Sequence, residues 1–477
     1  MKTHPTSLKT REERFEHYLA LLGKELDHFD RIKPFREYLT GLLLPGERKS
    51  IEPLAAQIDP RRVCAKHQSL HHFIAAAAWS DRALLRAICQ YALPALLHLG
   101  EIECWLLDDT GFPKRGKHSV GVARQYCGQL GKIDNCQVAV SLTLSHQLAS
   151  LPIALELYLP KNWAHDWARR KKAGVPREIR FRTKHDIALA QIDAALKADL
   201  PRALVNADAG FGNNGVFRDA LTARRLRYAV GIRETTMVWP PGKGPLAPPV
   251  SSTRGRGQPP KLLRRDAEHQ PLTVRQLADQ LGRDSFRSVA WREGARGEMR
   301  SQFRAARVRP AYRDYRRETP RAEEWLLMEW PVDERDPTKY WFLTLPRRTS
   351  LQGLVYAAKG RWPIERDYEE LKDLGLGGYE VRGWRGFHHH ATMCIAAYAF
   401  LIAERGLFSP SPNRRESRFT FFGISGGQRS RGSSNTDGAA QSNFDCDDED
   451  RIGCGYGQSC ASMPVLPKID HHHVIIS

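Results

Sequence analysis

The 477-residue chain has no unbroken apolar run of membrane-spanning length. The richest, Phe73-Ile74-Ala75-Ala76-Ala77-Ala78-Trp79, soon meets Asp81 and Arg82. The opening Met1-Lys2-Thr3-His4-Pro5 lacks the apolar core of a signal peptide. Paired cysteines are missing too: nine are scattered along the chain, an odd number with no Cys-x-x-Cys spacing, which argues against a secreted disulfide framework. The expectation is a protein of a reducing cytoplasm, without a membrane. Acidic residues are also in short supply, 54 against 73 Lys and Arg, for a net charge of +19. Net charge says nothing about fold, but it favours a polyanionic partner. The basic residues are spread along the chain rather than gathered in one tail, as suits a protein that lies against nucleic acid over a long surface.

What is present divides into segments. Residues 1–99 have helical periodicity, with Phe15, Tyr18, Leu21 and Leu22 recurring on one face and Leu84, Leu85, Ile88 and Ala92 on another. Pro34, Pro45, Pro53 and Pro60 cut this region into short helices. The stretch from Glu47 to Val63, with Arg48, Lys49, Arg61 and Arg62, reads either as a small helix-turn-helix that binds DNA or as a helical bundle with a solvated basic face. Residues 100–232 alternate strands and helices. Residues 233–349 begin with a Pro-, Gly- and Ser-rich loop from Trp239 to Pro260. They continue as an arginine-rich, strand-like insertion, with strands expected near Ser288–Trp291, Arg304–Val308, Glu324–Trp330 and Tyr340–Leu345. Residues 350–406 return to helix. From 407 to 477 periodicity ends and a disordered tail is expected. Cys446, Cys454, Cys460 and His471 to His473 lie in that tail without a standard zinc spacing.

The centre of the sequence is Glu103 to Leu144. The apolar run Cys104-Trp105-Leu106-Leu107 ends in Asp108-Asp109-Thr110, the pattern of a buried strand closed by turn residues. Carboxylates at the tip of a buried strand need a positive neighbour. A basic loop follows, with Lys114, Arg115, Lys117 and His118; then come strand-like runs from Ser119 to Gln125 and from Cys136 to Leu144. Much later, Ala203-Leu204-Val205-Asn206-Ala207-Asp208 repeats the pattern. Strand ends in an α/β sheet converge on one edge, so acids far apart in sequence can meet. Carboxylates gathered there can hold divalent cations for phosphoryl transfer, and magnesium prefers oxygen ligands. A third acid comes from Arg361-Trp362-Pro363-Ile364-Glu365, where Pro363 suits the first turn of a helix. Tyr368, Glu369 and Lys372 follow Glu365 on the same helical face, a pattern that an ordinary amphipathic helix also displays.

Several of these segments resemble transposases of bacterial insertion sequences. They are Asp108-Asp109-Thr110-Gly111-Phe112-Pro113-Lys114, Gly116 to Val122, Gln125-Tyr126-Cys127-Gly128, Ala207 to Gly212 and Trp384 to His390. The resemblance implies a ribonuclease H-like DDE catalytic core, interrupted by the β-rich insertion and preceded by an N-terminal helical DNA-binding domain. It implies Asp109, Asp208 and Glu365 as the catalytic and metal-binding triad for two Mg²⁺ ions, with Mn²⁺ able to substitute. Asp109 is selected over Asp108 because the family's acid immediately precedes Thr. A Tyr-x2-Arg-x3-Glu-x6-Lys signature aligns Arg361, Glu365 and Lys372; its Tyr falls on Ala358, with Tyr356 two residues earlier. Glu369 and Glu370 are rival third acids. Arg361, Lys372, Lys114, Lys117 and His118 are the expected phosphate contacts. The implied partners are double-stranded DNA and a second copy of the chain in an end-pairing complex near the nucleoid. The implied activity is cleavage at element ends and joining of 3′ ends to a target; the alternative is a catalytically silent relic that only binds DNA. His388 to His390 read either as phosphate or metal contacts or, more simply, as packing and capping at a helix start.

Overall fold

The computed structural model describes residues 10–248, 261–294, 297–378 and 381–408. The expected tail, its cysteines and its histidines therefore lie outside the described residues, apart from residues 407 and 408, which end the last helix.

Five helices come first: α1 (Arg11–Gly23), α2 (Ile32–Leu43), α3 (Ile51–Ile58), α4 (Val63–Ala75) and α5 (Asp81–Leu99). Local signals set their starts. Thr10 and Glu13 form a reciprocal capping box on α1, and the Ser80 hydroxyl accepts from Ala83 N on α5. The turn between α3 and α4 exposes Arg61 and Arg62. Lys49, expected on the same basic face, is instead buried: its ammonium donates to the Leu44 carbonyl, and burial lowers its pKa.

Next come β1 (Cys104–Pro113), β2 (Ala123–Cys127), β3 (Lys132–Ser145) and β4 (Ser150–Leu157). The expected strand at Ser119 begins only at Ala123, because Gly121 takes a left-handed φ of 73° in a turn. Two short helices, α6 (Lys161–Ala164) and α7 (Trp167–Lys172), precede α8 (Lys184–Lys197), which Thr183 and Asp186 cap. Then follow β5 (Leu204–Ala207), α9 (Ala209–Gly212), α10 (Gly215–Ala223) and β6 (Tyr228–Ile232). β3 pairs antiparallel with both β4 and β1, whereas β5 lies parallel to both β1 and β6.

The arginine-rich region supplies β7 (Met237–Trp239), β8 (Leu272–Thr273), α11 (Val274–Leu281), β9 (Arg287–Gly294), β10 (Gly297–Pro310), β11 (Glu324–Glu329) and β12 (Lys339–Leu343). The four expected strands are present. They do not form a separate sheet: β12 pairs antiparallel with β6, so the insertion continues the central sheet outward through β11 and β10.

The final helices are α12 (Leu351–Lys359), α13 (Pro363–Asp373) and α14 (Trp384–Phe408). α14 is long and apolar enough to cross a bilayer, but 78% of its apolar stretch is buried inside the protein. The sequence reading found no such stretch because the polar His388-His389-His390 and Thr392 interrupt it. Those side chains are buried and partnered: the His388 ring accepts from Leu157 N, and His389 stacks on Trp79 at 3.5 Å. α14 is thus a core helix, gripped by the N-terminal helices on one side and β4 on the other.

His390 bonds both Tyr38 Oη and the Gly375 carbonyl at 2.8 Å, an arrangement complete with a neutral ring. Burial lowers its pKa from 6.5 to about 4. Between those values the unfolded chain takes up a proton that the folded chain refuses, so stability from this residue is lost as pH falls. The stability gap between wild type and His390→Gln is therefore expected to narrow by about 2 kcal/mol between pH ~7.5 and ~5. Denaturant unfolding at the two pH values measures it; an unchanged gap would contradict a neutral buried ring.

Candidate active site

Successive side chains on a strand point to opposite faces, so Asp108 and Asp109 diverge. Asp108 lies opposite Ser141 of β3. On its other side, Leu106 pairs with Asn206 and Leu107 with Ala207; one step further along both strands brings Asp108 beside Asp208. Two contacts identify this as the face covered by α12 and α13. Asn206 donates to the Ala357 carbonyl of α12 at 2.6 Å, and Ser141 Oγ bonds Tyr368 Oη of α13 at 2.5 Å.

Arg361, in the turn between those helices, places its guanidinium 3.1 Å from Asp108 Oδ1. Burial pushes the Asp108 carboxyl up to about 7; Arg361 pulls against this, and the charges of Asp208 and Asp109 push the same way. Burial also works against the Arg361 charge, but Asp108 and Asp208 outweigh it and its pKa is raised. The two strand-end acids and this arginine thus form one electrostatic unit. Asp109 turns to the reverse face, where Lys184, at the start of α8, reaches it at 2.8 Å.

Asp208 is also the N-cap of α9, its Oδ1 accepting from Phe211 N at 3.2 Å. The turn that carries it rests directly on β6. A Cβ on Gly231 would lie 2.9 Å from Ala209 N, and one on Gly212 would lie 2.1 Å from the Gly231 carbonyl oxygen. Only a pair of glycines permits that approach.

Glu365 is exposed in the first turn of α13, where Pro363 starts the helix as expected. Of its rivals, Glu369 is exposed, and Glu370 is engaged by Arg366 at 3.9 Å and Arg405 at 3.6 Å. Among the described residues no three His, Cys, Asp or Glu side chains stand close enough together to hold one ion. The structure brings Asp108, Asp208 and Arg361 together; Asp109, held by Lys184 on the reverse face, and Glu365 do not complete a three-carboxylate group with Asp208.

Burial lowers the Lys372 pKa, against the charges of Cys127 and Glu369. Lys114 is half-buried and its charge acts on His390, whereas Lys117 and His118 are exposed.

A family model described as DDE superfamily endonuclease matches residues 22–298, more than half of the chain. The chain belongs to this family. A probable transposase for insertion sequence element IS701, from Microchaete diplosiphon, is 32% identical over 205 residues. That alignment covers 43% of this chain and 50% of the relative, so the chain spans about half the length of the curated relative it matches. The matched DDE-family span contains Asp108, Asp109 and Asp208 and ends before Arg361, Glu365 and Lys372.

Two features of this DDE endonuclease chain escaped the sequence reading. Lys184, the partner of Asp109, begins α8, and its neighbour lies 75 positions away. The placing of Asp108 on the Asp208 face did have a signal, the two-residue alternation of β1, which the Asp-Thr motif overrode.

Proposed function

We propose that the chain is an insertion-sequence transposase that binds the terminal inverted repeats of its element. It cleaves DNA strands there and joins the 3′ ends to target DNA. The order β4-β3-β1-β5-β6, with its antiparallel half and its parallel half, supports reading the core as ribonuclease H-like. The observation that carries the proposal is the meeting of Asp108 and Asp208, from the ends of adjacent parallel strands, around Arg361.

Asp109, Asp208 and Glu365 are the proposed metal ligands, with Asp108 a fourth carboxylate on the Asp208 face. The fit is one of donor chemistry: all are hard oxygen donors, which suit Mg²⁺ and accept Mn²⁺. Bound there, the cations would activate the attacking oxygen and stabilise the leaving one. The reading requires Asp109, now held by Lys184 on the reverse face, and Glu365 to gather with Asp208 when cation and DNA bind. The chain's own contribution is charge and position. Arg361 and Lys372 hold phosphate oxygens, with Lys114, Lys117 and His118 along the DNA path, contacts that position the backbone without reading sequence. In cleavage a water oxygen bonds to phosphorus as the 3′-oxygen leaves and takes up a proton. In joining, that 3′-hydroxyl loses its proton and bonds to phosphorus of a target phosphodiester, displacing the target strand's 3′-oxygen, which takes up a proton. A dimer, one copy on each element end, is part of the proposal.

Incubating the protein with duplex carrying its element's end, a target plasmid and Mg²⁺ is expected to yield end nicks and joined product, both absent with chelator. Binding without cleavage would overturn the proposal in favour of a silent DNA-binding relic. Cutting without end preference would replace it with a general nuclease.

A further inference from the structure

We propose that the β2–β3 hairpin is an apolar wedge that enters the minor groove of duplex DNA beside the cleavage site. Tyr126 and Ile133 are cross-strand partners on its outer face, 58% and 61% exposed, and Leu130 in the connecting turn is 41% exposed. Aromatic and aliphatic side chains this open at the tip of a hairpin have no packing role in the folded chain. Alternation puts Arg124 and Asn135, the next cross-strand pair, on the same face. The Asn135 amide donates to the carbonyls of Lys114 and Gly116, at 2.5 and 3.0 Å. It thereby fastens the basic loop to the hairpin as one surface. Between residues 114 and 135 five Lys and Arg accompany one carboxylate, Asp134, which Lys132 engages at 3.4 Å. Apolar wedges flanked by cations match a DNA groove, where side chains of this kind open a base step.

Position favours DNA over a lipid surface or a second copy. β3 runs from the hairpin to Ser141, the partner of Asp108 and, by alternation, on the same face as Ile133, so whatever lies on the tip also runs past the strand-end acids. Ser141 lies eight positions beyond Ile133, which is about 26 Å along a strand and about eight base pairs of duplex. The inference rests on DNA being the substrate and adds where and how it is gripped.

The test is fluorescence anisotropy of labelled duplex with the full chain and no metal, so it can be read even if cleavage is never seen. Tyr126→Ala with Ile133→Ala should weaken binding by about tenfold at unchanged salt dependence, because no charge is lost. Arg124→Ala should instead reduce the slope of log affinity on log salt by about one. Both variants should melt as wild type does, since the changed side chains are exposed. A 2-aminopurine placed about eight base pairs from the cleaved phosphate should brighten on binding wild type and not the double variant. Wild-type affinity in the double variant would overturn the proposal. So would a double variant whose defect is instead dissociation of a dimer, or loss of binding to anionic phosphatidylserine vesicles.

Discussion

Asp208→Asn is expected to lower metal-dependent end nicking on the order of a thousandfold, equivalent to ~4 kcal/mol of transition-state stabilisation, and to leave metal-free DNA affinity intact. Asparagine separates chemistry from folding at this position. Asp208 has two roles: its Oδ1 caps α9 through Phe211 N, and its charge faces Asp108 and Arg361. Asparagine caps helices as well as aspartate does, so the turn resting on Gly231 survives and only the charge is removed. The same substitution at positions 108 and 109 ranks the two candidate acids of β1. The Asp-Thr motif points to Asp109, whereas strand alternation and the Arg361 contact point to Asp108. If Asp109→Asn alone is inactive, Lys184 must release Asp109 to the site. If Asp108→Asn alone is inactive, the working acid is the one facing Asp208. Nicking assays with thermal melting of each variant give the ranking. An Asp208→Asn protein that nicks at the wild-type rate would remove the strand-end site altogether.

Local chemistry made much of this chain legible. The proline at the start of α13 and the apolar runs before Asp108 and Asp208 each mark an element that the structure contains. Sequence patterning failed where partners are distant. Gly111 and Pro113 read as the start of a loop, but β1 continues through them to Pro113, because β3 pairs with it along its whole length and only a glycine fits over Cys127. Likewise, nothing local announces that β12 pairs with β6 and fuses the arginine-rich region to the core sheet. Lys49 is the same lesson for charge. Its sequence neighbours made it look like a surface cation, and the carbonyl of Leu44 took it inward. Glu365 remains the part of the site least explained by the fold, since helical periodicity sets its face on α13 but not its distance from two strand ends.

Arg14→Ala is expected to destabilise the fold by roughly 3–5 kcal/mol, among the largest single-residue effects expected on stability. Arg14 Nε and Nη2 grip the two Glu404 oxygens at 2.7 and 2.6 Å, with both side chains buried. Removing the arginine leaves the mostly buried Glu404 carboxylate with the half-exposed Arg11 at 3.8 Å as its remaining ion pair among the described residues. Lysine at position 14 should recover little, because a point charge cannot reproduce two parallel bonds. The double change Arg14→Met with Glu404→Leu should recover most of the stability, since apolar pairs of similar volume often replace a buried ion pair without loss. The consequence reaches the site through α14, which packs on β4 and α13 as well as on the N-terminal helices. Tyr398 on the same helix donates to Asp367 of α13 at 2.9 Å. Loosening α1 from α14 should therefore weaken DNA cleavage at temperatures below the melting transition, by unsettling the helix that carries Glu365. Urea unfolding of the four proteins, with nicking rates measured in parallel, tests both claims. A stable Arg14→Ala protein, or a double variant no better than the single one, would show that this ion pair does not hold the helices together.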